Sequence, residues 1–220
     1  MNRSQREHLY RLFLDIFFPR HCIVCGQSGI LLCAPCVQKL PHAEKNPISY
    51  CSSLYSYRSP SVKKMILHLK KNKSKELAMI AGKLLSDVCR DISSEYATIH
   101  QTKKTILVPI PISRTRLLER GFNQSKLIAE SLLHYLPRQN YALQELLQRI
   151  SHRKKQSTVT SRQERLKNMK NVFVAKNMLP KEPLYIIVDD VTSTGATIHE
   201  AKRALQKAGA RHITAVTVAH

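Results

Sequence analysis

"YIIVDDVTSTGAT", residues 185–197, joins an apolar run to two adjacent aspartates, a Thr/Ser loop with one glycine, and then an Ala-rich stretch. The apolar half, within "LYIIVDD", reads as a buried strand. Residues 195–208 read as a helix ended by Gly209. Between a strand end and a helix N-terminus, backbone amides point outward and the helix dipole favours an anion. Thr192, Ser193, Thr194 and Thr197 add hydroxyl donors, and Gly195 lets the backbone come close to a ligand. Asp189 and Asp190 repel each other unless a cation or hydrogen-bond donors sit between them. A sugar diol beside a bound phosphate, with Mg2+ nearby, supplies both. The competing reading is a pair of helix-capping acids. Neither G-x-G-x-x-G nor G-x-x-x-x-G-K-[ST] occurs, which excludes a dinucleotide fingerprint and a P-loop.

The flanking sequence places this stretch in an alternating fold. "TILVP" (105–109) reads as a buried strand, "NQSKLIAESLLHYL" (123–136) as a helix, and "NVFVA" (171–175) and "ITAVTVA" (213–219) as strands. From about residue 105 onward, strands alternating with helices give a parallel sheet covered by helices, with ligands at the strand carboxyl ends. Further upstream, "SLYSY" (53–57) alternates like a strand. Val62, Met65, Ile66 and Leu69 share one face of a helix over 59–71. Ser74 caps a second helix with Leu77, Ile80, Ala81, Leu84, Leu85 and Val88 inward, followed by a charged, polar loop. Ser161-x-x-Glu164 resembles a capping box at the start of a short helix. "LYRLFLDIFF" (9–18) has helical spacing and reads as an amphipathic helix stopped by Pro19, and 41–49 reads as a linker. No stretch approaches the ~20 apolar residues of a spanning helix, and 9–18 is followed by no small-residue cleavage site. The expectation is therefore a cytoplasmic protein with reduced thiols.

Cys22, Cys25, Cys33 and Cys36 form C-x2-C-x7-C-x2-C. Two C-x2-C turns complete a tetrahedral shell for Zn2+, and four protein ligands leave no position for catalytic water, so the metal is structural. Disulfides and a redox pair are the alternatives. His21 and His42 lie close enough in sequence to substitute as ligands, while Cys51 and Cys89 read as buried thiols.

The formal net charge is +21, from 36 Lys+Arg against 15 Asp+Glu in 220 residues. Such an excess suits a polyanion: nucleic acid, an anionic membrane or a phosphorylated small molecule. It is clustered. Lys63, Lys64, Lys70, Lys71 and Lys73 fall in one stretch without an acid. Arg149, Arg153, Lys154 and Lys155 open a second that runs to Lys170 with Glu164 as its one acid. Such runs suit a phosphate backbone with strong salt dependence, although few aromatics accompany them as stacking platforms. A solvated lysine-rich helix face is the alternative.

Three stretches together carry a family resemblance. "IIVDDVTSTGAT" resembles the phosphoribosyl-pyrophosphate (PRPP) loop of type I phosphoribosyltransferases. "VPIPISRTRLLERGFNQS" (108–125) and "HRKKQSTVTSRQERLKNMKNVF" (152–173) resemble segments of the ComF family of competence proteins, as does the four-cysteine arrangement. The likeness runs from roughly Leu12 to Val218 and is of the ComFC-like type. It implies a type I phosphoribosyltransferase-like parallel sheet with flanking helices, preceded by an N-terminal zinc knuckle: an α/β chain with an amphipathic helix and knuckle over 1–45 and a phosphoribosyltransferase-like domain over 46–220. It further implies that Asp189 and Asp190 hold the ribose hydroxyls of PRPP, with Val191, Thr192, Ser193, Thr194, Gly195, Ala196 and Thr197 cradling its 5′-phosphate. Pyrophosphate, with Mg2+, falls to the loop Pro109, Ile110, Pro111, Ile112 and Ser113. Arg114, Arg116 and Arg120 are physically suited to the same polyanion. Phe122, Asn123 and Gln124 line the site or start a helix with Asn123 as cap. The family handles incoming single-stranded DNA in natural transformation, which implies single-stranded DNA and a competence helicase or other DNA-uptake proteins as partners. Two functions follow: an adaptor in DNA uptake with a PRPP site, or an active phosphoribosyltransferase of nucleotide metabolism or salvage with an unidentified acceptor. In the spacing of its 152–165 stretch the chain departs from the family pattern, with Lys155 and Gln156 adjacent.

Overall fold

The computed structural model describes residues 20–44, 48–71, 74–101, 104–150 and 171–220. The N-terminal amphipathic helix, its stop at Pro19, the Ser161 capping box, and Lys73, Arg153, Lys154 and Lys155 lie outside the described residues. The elements run α1 (Ala34–Gln38), β1 (Cys51–Tyr55), α2 (Pro60–Lys71), α3 (Lys75–His100), β2 (Thr105–Pro109), α4 (Arg114–Arg120), α5 (Gln124–His134) and β3 (Tyr141–Leu143). They continue with β4 (Leu147–Arg149), β5 (Phe173–Ala175), β6 (Leu184–Val191), α6 (Ala196–Lys207) and β7 (His212–Ala219).

Five strands form one sheet in the order β1-β7-β6-β2-β3, and every pairing is parallel. All strand carboxyl ends therefore lie along one edge. The chain leaves β2 outward to β3, returns to β6 on the other side of β2, and continues to β7. The direction of winding reverses between β2 and β6, and in parallel sheets such a switch point marks the crevice where ligands bind, at the strand carboxyl ends.

β6 is buried on both faces, so it reads as a continuous apolar run rather than an alternating one. Leu184, Ile186 and Val188 pack with Leu77, Leu85, Ile128 and Leu132 from α3 and α5. Tyr185 and Ile187 pack with Ile198, Ala201 and Leu205 from α6 on the opposite face. Helices thus cover both faces. α3 and α5 approach closely at Gly82, where an added Cβ would lie 2.6 Å from the Leu132 backbone nitrogen.

The helical stripe Val62, Met65, Ile66 and Leu69 is buried as the periodicity predicts, and Ser74 caps α3 by accepting from the Leu77 amide. Three expectations change. The first strand is Cys51–Tyr55 rather than 53–57, because Cys51 pairs with Ala215 and the Ser56 amide turns away to the Pro41 carbonyl. Residues 89–100, expected to be a loop, continue α3. Cys89 and Tyr96 extend its buried face to a left-handed cap at Gln101. The strand within "NVFVA" exists, but it pairs antiparallel with β4 in a separate two-stranded ribbon.

The cysteine segment shares the body's core. Cys22, Leu32, Cys33, Cys36 and Leu40 belong to the same buried cluster as Leu69 and Leu77. Glu76, in the first turn of α3, accepts from the Leu31 amide at 2.8 Å and pairs with Arg20 at 3.0 Å.

Candidate functional site

The acid pair ends β6 beside the crevice. Asp189 and Asp190 are 8% and 7% exposed. Two donors hold one oxygen of Asp189. Ser125 Oγ donates to Oδ1 at 2.7 Å and the Asp190 amide donates to it at 2.9 Å. Lys70 Nζ lies 3.2 Å from Asp190 Oδ2. Burial pushes the Asp189 carboxyl up to about 7. Repulsion from Asp190 adds to this, while Ser125, the Asp190 amide and Lys70 oppose it.

The loop after β6 leads directly into α6. Thr192 is buried and its amide donates to the Ala219 carbonyl at 3.1 Å; Ser193 is exposed; Thr194, Ala196 and Thr197 are half-buried. Gly195 has φ +75°, a backbone conformation that favours glycine, and an added Cβ would displace the end of the Ile48 side chain, whose Cδ1 would lie 2.3 Å away. Gly195 is the N-cap of α6 and supplies no side-chain hydrogen bond to the first turn. Thr194 Oγ1 accepts from the Ala196 amide at 3.5 Å, at the N-terminus of the helix, where the dipole favours an anion. Tyr50 and His199 hydrogen-bond through the phenol and Nδ1, and the Lys202 ammonium lies 3.4 Å from the Tyr50 ring centroid.

Across the crevice, Pro109 and Ile110 are buried and Pro111, Ile112 and Ser113 are half-buried. The Ile110 amide extends the ladder to the Val188 carbonyl at 3.1 Å. Asn123 does two jobs: its Oδ1 accepts from the Ser125 amide as the cap of α5, and its Nδ2 donates to the Ile110 carbonyl at 2.9 Å. Gln124 Nε2 donates to the Lys70 carbonyl at 3.4 Å. Arg114 and Arg116 are exposed on α4, and Arg120 is half-buried. Ser113 caps α4, which has no buried residue.

The sequence reading passed over three residues as parts of this site. Lys70 was one of the nucleic-acid candidates; it reaches inward to Asp190, whereas Lys63, Lys64 and Lys71 are exposed on α2. Ser125 sits at the end of the quoted 108–125 stretch. Arg149, at the end of β4, packs with its guanidinium carbon 5.5 Å from the Phe173 ring centroid. Burial pulls Arg149 below its ordinary value, the charge of Arg116 adds to this and that of Asp189 opposes it.

The four cysteines form a second cluster. Their sulfurs lie within 4.8 Å of one another, with Cys25 and Cys33 at 3.7 Å. A tetrahedral S4 shell with bonds of about 2.3 Å has edges of about 3.8 Å, so the donor set fits a metal such as zinc. Gly26 takes φ +80° and its amide bonds the Cys22 carbonyl, closing the first turn. Burial pushes the Cys22 thiol up, but the amides of Cys25, Cys33 and Val24 outweigh it and bring it to about 6. The hydrogen bond to Cys33, and then burial, push Cys36 up to about 12. A bound cation would resolve this conflict by favouring all four thiolates. His21 and His42 are not part of the cluster, and Cys51 and Cys89 are buried.

No family model matches the chain. Curated relatives do. The chain is 37% identical to the competence protein ComFC of Bacillus subtilis over 123 residues, which is 54% of this chain and 45% of that protein. It is 30% identical to competence protein F of Haemophilus influenzae over 128 residues, 54% of each. Matches therefore span about half the length of these two relatives. The DNA utilization protein YhgH of Escherichia coli is 30% identical over 194 residues, 85% of this chain and 79% of that protein. With 30% identity over most of both chains, alongside the matches to the competence proteins, the chain belongs to the ComF family.

Proposed function

We propose that this protein acts in competence and DNA uptake, and that its crevice binds PRPP with Mg2+. The names of its relatives support the first part: competence protein ComFC, competence protein F and DNA utilization protein YhgH. One observation carries the second. A buried acid pair ends the strand at the winding switch and runs directly into a glycine-bearing loop at a helix N-terminus. The carboxylates of Asp189 and Asp190 accept from ribose hydroxyls. Residues 192–197 and the start of α6 hold the 5′-phosphate, and the loop 109–113 holds the pyrophosphate. Carboxylate and phosphate oxygens suit Mg2+, which would neutralise the pyrophosphate. The four cysteines hold a structural Zn2+.

Single-stranded DNA is the second partner. Exposed Lys63, Lys64 and Lys71 on α2, and Arg114 and Arg116 on α4, offer cations to a phosphate backbone. Arg153, Lys154 and Lys155 belong to the same proposal by their charge. A competence helicase or another DNA-uptake protein in the cytoplasm completes the adaptor reading. The alternative reading is pentosyl transfer to an acceptor, by an active phosphoribosyltransferase of nucleotide metabolism or salvage. In that case positioning and electrostatics, rather than a dedicated base, would carry the step.

Calorimetric titration of PRPP with Mg2+ tests the site. Binding to the wild type and loss in Asp189→Ala/Asp190→Ala are expected, and equal binding by both would remove the assignment. Affinity for a single-stranded oligonucleotide should fall steeply with salt; a flat dependence rules out the basic-stretch part of the proposal.

A further inference from the structure

The acid pair already has a cation. Lys70 Nζ stands 3.2 Å from Asp190 Oδ2, and its side chain is 25% exposed. The lysine is held in place from both sides. Leu69 beside it is fully buried, and the Lys70 carbonyl accepts from Gln124, itself 2% exposed. Asn123, next to Gln124, bonds the Ile110 carbonyl in the loop across the crevice. The end of α2, the start of α5 and the loop after β2 are thus stitched together by consecutive side chains of one segment. The ammonium sits at the end of a flexible four-carbon stem with three donors, so it can change partner without moving the helix.

A ligand that places sugar hydroxyls on Asp190 competes with this ion pair. A ligand that also carries a pyrophosphate offers the displaced ammonium new oxygens. Resting on the reading of the crevice as a PRPP site, we infer that Lys70 is an exchangeable counter-ion, holding Asp190 in the free protein and passing to the ligand's pyrophosphate on binding. It is therefore a specificity-determining residue. Ribose 5-phosphate competes with the Lys70–Asp190 pair for the carboxylate and offers the ammonium no pyrophosphate in its place. PRPP replaces that pair with charge-assisted bonds to phosphate.

The test uses the full chain with Mg2+ and two probes, PRPP and ribose 5-phosphate, on wild type, Lys70→Gln and Lys70→Arg. Lys70→Gln should weaken PRPP binding by about tenfold or more, the value of one charge-assisted hydrogen bond. Its affinity for ribose 5-phosphate should stay unchanged or rise, because the competitor for Asp190 is gone. Lys70→Arg should restore most of the PRPP affinity and serves as the folding control. An equal loss for both ligands marks a merely structural lysine and overturns the inference, as does unchanged PRPP affinity in Lys70→Gln while the wild type binds. A wild type that binds no PRPP overturns the site reading itself, and the exchange with it.

Discussion

Replacing Asp189 with asparagine should stabilise the fold at pH 8 while abolishing PRPP binding. Both hydrogen bonds to this side chain, from Ser125 Oγ and the Asp190 amide, end on Oδ1, and an asparagine Oδ1 can accept both. What the substitution removes is a buried negative charge set against Asp190. Burial and that repulsion raise the carboxyl from 3.8 to about 7. A raised carboxyl pKa has a definite sign: below about pH 4 both folded and unfolded states are protonated and nothing is lost. Between about pH 4 and 7 the native state holds the proton that the unfolded state releases, so stability falls as pH rises. Above about pH 7 both are ionised and the native state carries the full cost. The cost so carried is at most about 4 kcal/mol. Urea denaturation of wild type and Asp189→Asn at pH 4.5, 6 and 8 measures it. The stability difference should grow with pH in favour of the variant. A flat difference, or a variant less stable at pH 8, would refute the account of a site that is electrostatically strained in the absence of ligand.

Other expectations are more local. Cys22→Ser should lose bound zinc and lower the melting temperature by as much as a chelator does to the wild type, since the cysteines share the core with Leu69 and Leu77; unchanged metal content contradicts it. Gly82→Ala sets helix propensity, a gain of about 1 kcal/mol, against a Cβ 2.6 Å from the Leu132 backbone nitrogen. Overpacking costs about 1–3 kcal/mol, so a net loss of about 1 kcal/mol is expected in denaturant titration, and a gain would show that α3 and α5 separate freely. His212 is held below its ordinary value by burial, then by His100 and Arg211, with its ring 4.2 Å from that of His100 and 5.0 Å from that of Tyr96. Its neutral form is favoured in the fold, so this contribution is complete above about pH 6.5 and is lost as pH falls below it. His212→Gln should flatten the dependence of melting temperature on pH between 7 and 5, and an unchanged slope would count against it.

Much of the fold was legible because its signals are local. The stripe Val62, Met65, Ile66 and Leu69 repeats at the helical period, and all four are buried. The doubly buried β6 reads as an apolar run, and its switch to a Thr/Ser loop and helix marks the candidate site. The second half of α3 was missed because "CRDISSEYATIH" dilutes the stripe to Cys89 and Tyr96. Of the β4–β5 ribbon, β5 was legible within "NVFVA", but β4 and the antiparallel pairing were not, because a strand of three residues has too little pattern of its own. Asn123 was read as either a cap or a site residue; it caps α5 and also ties down the loop at Ile110.

By itself the sequence determined most of the alternating strands and helices, the place of the acid pair and the Thr/Ser loop after it, and the four cysteines that come together. Each of these depends on residues within a few positions of one another, where periodicity, backbone propensity and spacing act. The tertiary structure alone decided which charges meet. Lys70 looked like one more cation in a basic run until α2 packed beside β6 and set it against Asp190. Ser125 came to Asp189 in the same way. Charge pairing acts through space between distant segments, and no local pattern in the chain encodes that approach.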